Sequence, residues 1–203
     1  MGFALLVAAA AAGGWDPGLE PADVADQYRA FALAKGRKGD ATELVCSPFA
    51  EAVVLCFSTV GGKKRVYATR ATGLDAAALT EASRGTAEAA LACFEPMVPE
   101  GLTTPYLGCV RGDGRDHAPL LFPDAIAARL GASFVVAAPA RGVLLAWTPG
   151  DAAFDKVMAV GARRMFESMP DPVSPLVYRW DRDRWVTWGQ AREVVDPASG
   201  SGG

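Results

Sequence analysis

Between residues 21 and 34 the apolar Val24, Tyr28 and Phe31 recur at three- and four-residue spacing, with Pro21 near a first turn and Gly36 just past the end. That spacing predicts an amphipathic helix. The period then shortens. Ala52–Val60 and Arg65–Ala71 are β-rich runs around Gly61-Gly62-Lys63-Lys64, which predicts a hairpin. Upstream, Leu44–Ser47 is set to pair with Leu55–Ser58 across a turn centred on Glu51. Asp75–Phe94, rich in Ala, Leu and Glu, predicts a helix capped by Asp75 and interrupted at Gly85.

The second half uses the same grammar. Ala118–Leu130 reads as a helix with Asp116 as a cap candidate, its start delayed by Pro123. Ser133–Ala138 and Val143–Thr148 flank Pro139-Ala140-Arg141-Gly142 as a further hairpin. Asp151 caps a helix to Met169, with Phe154, Met158, Gly161 and Met165 on one face and Pro170, Pro172 and Pro175 as its stop. A helix-hairpin-helix unit thus occurs twice, over 21–94 and 118–169, and predicts internal duplication with both hairpins in one sheet. Leu176–Trp180 and Trp185–Trp188 close the chain as a last hairpin, with Trp180 opposite Trp185 and the tryptophans packed in the core; an exposed aromatic platform is the alternative.

The fold class these elements predict is α+β: a mostly antiparallel sheet built from hairpins, with packed helices. It fills a single domain over 21–195, preceded by an apolar segment (1–20) and followed by a disordered Gly/Ser tail (196–203). The apolar segment is either a packed extension or an export signal. With no Lys or Arg before residue 29, the expectation is a cytoplasmic protein, export with cleavage being the alternative. No apolar run is long enough to span a bilayer.

At 51% apolar and 21% charged residues the composition is that of an ordinary globular chain, not a disordered one. A net charge of -3 gives no reason to expect a nucleic-acid partner. The small basic clusters Lys35, Arg37, Lys38 and Lys63, Lys64, Arg65 lie in Gly-containing turns and read as solvated loops, with a phosphate contact as the alternative.

Four cysteines, Cys46, Cys56, Cys93 and Cys109, lack C-x-x-C spacing, so no metal site and no cofactor are expected. The pairing across Glu51 would set Cys46 opposite Cys56, with Cβ atoms about 4.5–5.5 Å apart, slightly wide of the disulfide mean. Buried thiols are the simpler reading and a Cys46–Cys56 disulfide the other. The motifs of nucleophile elbows, phosphate loops, zinc proteases and dinucleotide folds are all missing. With one histidine, any His-based dyad must use His117.

The polar run Arg111-Gly112-Asp113-Gly114-Arg115-Asp116-His117 is the one mixed constellation. Asp113, Asp116 and His117 could supply a general base or cation ligands; turn-making by Asp113 and helix capping by Asp116 are the plainer roles. Arg141, at a hairpin tip, is placed to meet a carboxylate or phosphate, or simply solvent.

From Asp113 to about Trp188 the chain resembles the YtpQ-like family of uncharacterised bacterial proteins. The likeness rests on Asp116-His117-Ala118-Pro119-Leu120-Leu121-Phe122-Pro123 and on Phe134-Val135-Val136-Ala137-Ala138-Pro139-Ala140-Arg141-Gly142-Val143-Leu144-Leu145. Gly142 stands where that family carries an acidic residue. The resemblance implies architecture and no particular activity. The functional expectation is a non-catalytic binding or adaptor module, chaperone-like, holding a protein partner by a sheet face or edge. The alternative is a small enzyme or ligand-binding domain built on the Arg111–His117 turn and Arg141.

Overall fold

In a computed structural model we describe residues 15–51, 53–61, 64–110 and 116–188. These residues form five α-helices and two antiparallel sheets, an α+β fold. The smaller sheet joins β1 (Asp16–Pro21), β2 (Cys46–Ala50), β3 (Val53–Gly61) and β4 (Lys64–Tyr67), with β3 at its centre. The larger holds β5 (Glu95–Met97), β6 (Tyr106–Cys109), β7 (Val135–Ala137), β8 (Leu144–Trp147), β9 (Val177–Asp181) and β10 (Arg184–Thr187), in the order β10-β9-β7-β8-β6-β5. The helices are α1 (Val24–Ala34), α2 (Ala76–Ala82), α3 (Arg84–Leu91), α4 (Pro123–Leu130) and α5 (Ala152–Ser168).

Two-residue alternation decides what the larger sheet touches. Val136, Leu144, Ala146 and Tyr178 point into a core shared with Leu19, Leu55 and Phe57 of the smaller sheet. Their neighbours Val135, Ala137, Leu145, Trp147 and Val177 point the other way, onto Phe154, Met158, Ala159 and Ala162 of α5. Both faces are therefore covered, which is why β7 and β8 read as unbroken apolar runs instead of alternating ones. Phe49, Tyr178, Trp185 and Phe134 make ring contacts at 5.3–5.9 Å within the shared core. Such pairs add about 0.5–1.5 kcal/mol each beyond area burial.

Several helix ends follow from single residues. Asp75 accepts from Ala78 N at 2.8 Å and so caps α2. Asp151 accepts from Ala153 N and Phe154 N, capping α5. The expected long helix over 75–94 breaks at Ser83 and not at Gly85, which lies inside α3. Ser83 is fully buried and its hydroxyl donates to Leu79 O at 2.8 Å, a back-bond that bends a helix. Likewise Ala118–Leu121 is a 3-10 turn and the α-helix begins at Pro123. On α1 it is Ala32 that is buried, while Phe31 is 54% exposed, so the inward stripe runs Val24, Tyr28, Ala32.

The two expected hairpins exist, β3–β4 and β7–β8, but in different sheets, contrary to the one-sheet expectation. Their strand neighbours differ too, so the pairing carries no duplication. Tip residues 62 and 63 of the first hairpin lie outside the described residues, as do the apolar start and the Gly/Ser tail. In the last hairpin Trp180 does face Trp185, across a two-residue turn in which Arg182 takes a left-handed φ of 60°. Trp185 and Trp188 are each 7% exposed and belong to the core.

Candidate functional site

Sequence reasoning missed β1, yet it organises the polar seam between the sheets. Its amide at Leu19 points away from β3 and donates to His117 Nδ1 at 3.1 Å. Backbone groups alternate sides along a strand, so positions 17 and 21 face the same way as Leu19. Both are prolines, which have no N–H. The outer edge of β1 therefore carries one donor, and His117 takes it.

His117 is 1% exposed. Because Nδ1 accepts from Leu19, the ring proton sits on Nε2, which donates to Val143 O at 3.1 Å. Burial lowers its pKa to about 4, with Arg141 and Arg65 acting in the same direction. At neutral pH this is an uncharged imidazole with both nitrogens committed to main chain. It holds β1 to the segment leading into β8.

Arg141 does not project into solvent from its hairpin. Its amide bonds Asp171 O, and Val173 N bonds Pro139 O, which fold the tip under. The side chain then crosses to the smaller sheet, where Nη2 reaches Glu20 Oε2 at 2.6 Å and Oε1 at 2.7 Å. Tyr67 OH donates to Glu20 Oε1 at 2.8 Å. Burial opposes the Arg141 charge, but Glu20 and Tyr67 outweigh it and its pKa is raised. Burial, helped by Glu20, pushes Tyr67 up to about 12. The pairing Asp16↔Ser58↔Tyr67 places these side chains on one face of the smaller sheet. Arg65 lies over Gly18 there, where an added Cβ would meet its Nη1 at 3.4 Å.

Asp116 does not cap the following turn: His117 holds the cap position, without a side-chain cap bond. Instead Asp116 is 1% exposed, with Oδ1 3.0 Å from Cys109 Sγ. Asp113 and Arg111 lie outside the described residues.

All four cysteines are cross-linked. Cys46 stands opposite Cys56 in the β2–β3 register and is joined to it, with Cα atoms 4.1 Å apart. Cys93, just after α3, is joined to Cys109 of β6, Cα atoms 5.4 Å apart. The second link escaped sequence reasoning because it spans two elements, α3 and β6, of which β6 gave no pattern. Cys93, Cys109 and Asp116 bring three ligand-type atoms within 4.8 Å of one another. While the sulfurs are bonded to each other they are not thiolate donors.

No family model, no curated protein and no solved structure matches this chain.

The described geometry thus brings Asp116, His117 and Arg141 to one seam and adds Glu20, Tyr67, Cys93 and Cys109. The signal for Glu20 was a lone carboxylate between Leu19 and Pro21 in a stretch whose alternate residues are apolar.

Proposed function

We propose that this chain is a binding module for a protein partner, with no acid–base catalysis at the seam. The observation that carries it is α1: Phe31 is 54% and Leu33 55% exposed, while of this helix only Ala32 is buried. Exposed aromatic and aliphatic side chains on one short helix are the usual material of a protein contact. The state of His117 supports the reading, since a buried neutral ring bonded on both nitrogens offers no lone pair to a substrate. The sealed edge of β1 directs the expected docking away from that strand and toward the helix. Two disulfides favour an oxidising compartment over the cytoplasm. The resemblance of residues 113–188 to the YtpQ-like family adds architecture to this reading and no activity.

The test is affinity purification at native expression, with co-purifying proteins identified by mass spectrometry, beside the F31D/L33D variant. A stoichiometric partner that the variant loses supports the reading. A partnerless monomer removes it. An intact mass with and without thiol alkylation reports the compartment: four free thiols would return the protein to the cytoplasm.

A second reading, a small-ligand site, rests on Arg141. Its Nε is buried with no hydrogen-bond partner, in a guanidinium otherwise held by Glu20 and Tyr67. A carboxylate or phosphate ligand would complete it.

A further inference from the structure

Helix α1 lies on the fold by a narrow strip. Ala32 is its buried residue, while Phe31 is 54% and Leu33 55% exposed. Successive helix positions turn by about 100°, so Leu33, Ala30, Ala34 and Phe31 span an arc of about 160° centred opposite Ala32. All four are exposed. The arc therefore faces away from the fold, with Leu33 along one margin and Phe31 along the other. The charges of this helix are sorted by end. Asp23 and Asp26 stand at its start, and Lys35, Arg37 and Lys38 follow its last turn. All five are exposed. Lys35 Nζ lies 5.9 Å from the centre of the Phe31 ring, at the margin of the apolar arc. Asp26, Lys35 and Lys38 form no ion pair among the described residues.

Such a face carries its own complement. A two-fold axis through the middle of α1, near Ala30, sets a second copy of the helix antiparallel across it. The acidic start of each helix then meets the basic end of the other, and the contact occurs twice. The opposed helix dipoles act in the same direction. Phe31 and Leu33 of each copy pack beside Ala30 and Ala34 of the other, ridge against groove. A parallel pair would set like charges together at both ends, and a partner of uniform charge would suit only one end. We propose that α1 is the contact of a two-fold dimer of this chain, formed by antiparallel pairing of its exposed face with that of a second copy. The proposal rests on the binding reading above and names its partner. Two helices of 11 residues bury less than the roughly 1,200 Å² of a standard interface. The dimer is therefore a weak one, with a dissociation constant of about 10–1,000 µM, and salt weakens it further by screening the charged ends.

The test is sedimentation velocity on the folded full chain from about 1 µM to about 1 mM, in low and in high salt. We expect a monomer–dimer equilibrium that tightens at low salt. F31D/L33D should weaken it at least about tenfold. D23K/D26K and K35E/K38E should each weaken it by about fivefold, and an equimolar mixture of the two should recover it as a heterodimer. Every substituted side chain is exposed, so each variant should keep the wild-type circular dichroism. In the wild type, a zero-length carbodiimide cross-link from Asp23 or Asp26 to Lys35 or Lys38, between labelled and unlabelled copies, reports the antiparallel pairing without any substitution. A monomer throughout the range, a dimer that F31D/L33D leaves intact, or charge variants that do not complement each other would overturn the proposal. A different protein captured at native expression and lost by F31D/L33D, beside a monomer in isolation, would overturn the dimer and keep the binding reading. A monomer with nothing captured would remove both.

Discussion

Arg141 and Glu20 are 121 residues apart in sequence, yet one guanidinium nitrogen meets both carboxylate oxygens. The Glu20 side chain is 3% exposed and that of Arg141 27%, so the pair ties the smaller sheet to the larger with the carboxylate withdrawn from water and the arginine still partly open to it. Removing one partner of such a pair costs more than the pair contributes, because a buried charge is left behind. R141M should lower stability in urea by about 3 kcal/mol. E20Q/R141M should recover much of that loss, and a double variant no better than R141M would show that the pair's charge is not what matters.

His117 sets a pH dependence of definite sign. Its folded pKa of about 4 lies below the unfolded value of 6.5. Between those values the unfolded chain binds the extra proton, so stability rises with pH through that window and is fully present above it. As pH falls from 6.5 to 4 the protein should lose about 3 kcal/mol from this residue. Urea midpoints from pH 4 to pH 7 check it, with H117N as the control. An equal slope in that variant would assign the effect to the carboxylates.

Cys46–Cys56 closes a separation of 10 residues. On the chain-entropy account, C46S/C56S should cost about 2–3 kcal/mol. A thermal melt that moved by less than a degree would mean that the sheet register already confines the unlinked chain.

Asp151 caps the helix that covers one whole face of the larger sheet. D151A should lower stability by about 1 kcal/mol, D151N by clearly less. Because α5 also packs through Phe154, Met158 and Ala162, the loss should be global unfolding free energy and not local fraying. Hydrogen exchange along α5 distinguishes the two.

The last hairpin, the helix caps at Asp75 and Asp151 and the Cys46–Cys56 register were legible because each depends on residues within about ten positions. What the sequence hid depends on distance. β1 holds two prolines and a glycine in six residues and reads as a loop, and it becomes a strand because β3 pairs with it along its whole length. β5, with three exposed residues, has no alternation to find. At the seam, Asp116, His117 and Arg141 were recognisable as chemistry-bearing residues, but their partners Cys109, Leu19 and Glu20 come from other elements. Arg141 looked like a solvated tip since nothing local reveals that residues 171–173 fold against it.

The bond from Leu19 to His117 spans 98 residues and the Glu20 pair 121. During synthesis, then, the first strand leaves the ribosome long before the groups that seal its edge exist. At ordinary elongation speeds the wait for Arg141 is roughly 6–24 s. Over that interval β1 can pair with β3 and Glu20 can accept from Tyr67, but its charge has no guanidinium beside it, and the outward amide of Leu19 stays open until His117 emerges. The smaller sheet is thus made first but sealed only after residue 141 has emerged, and a nascent chain halted before that residue presents an unsealed strand to whatever binds unfinished proteins.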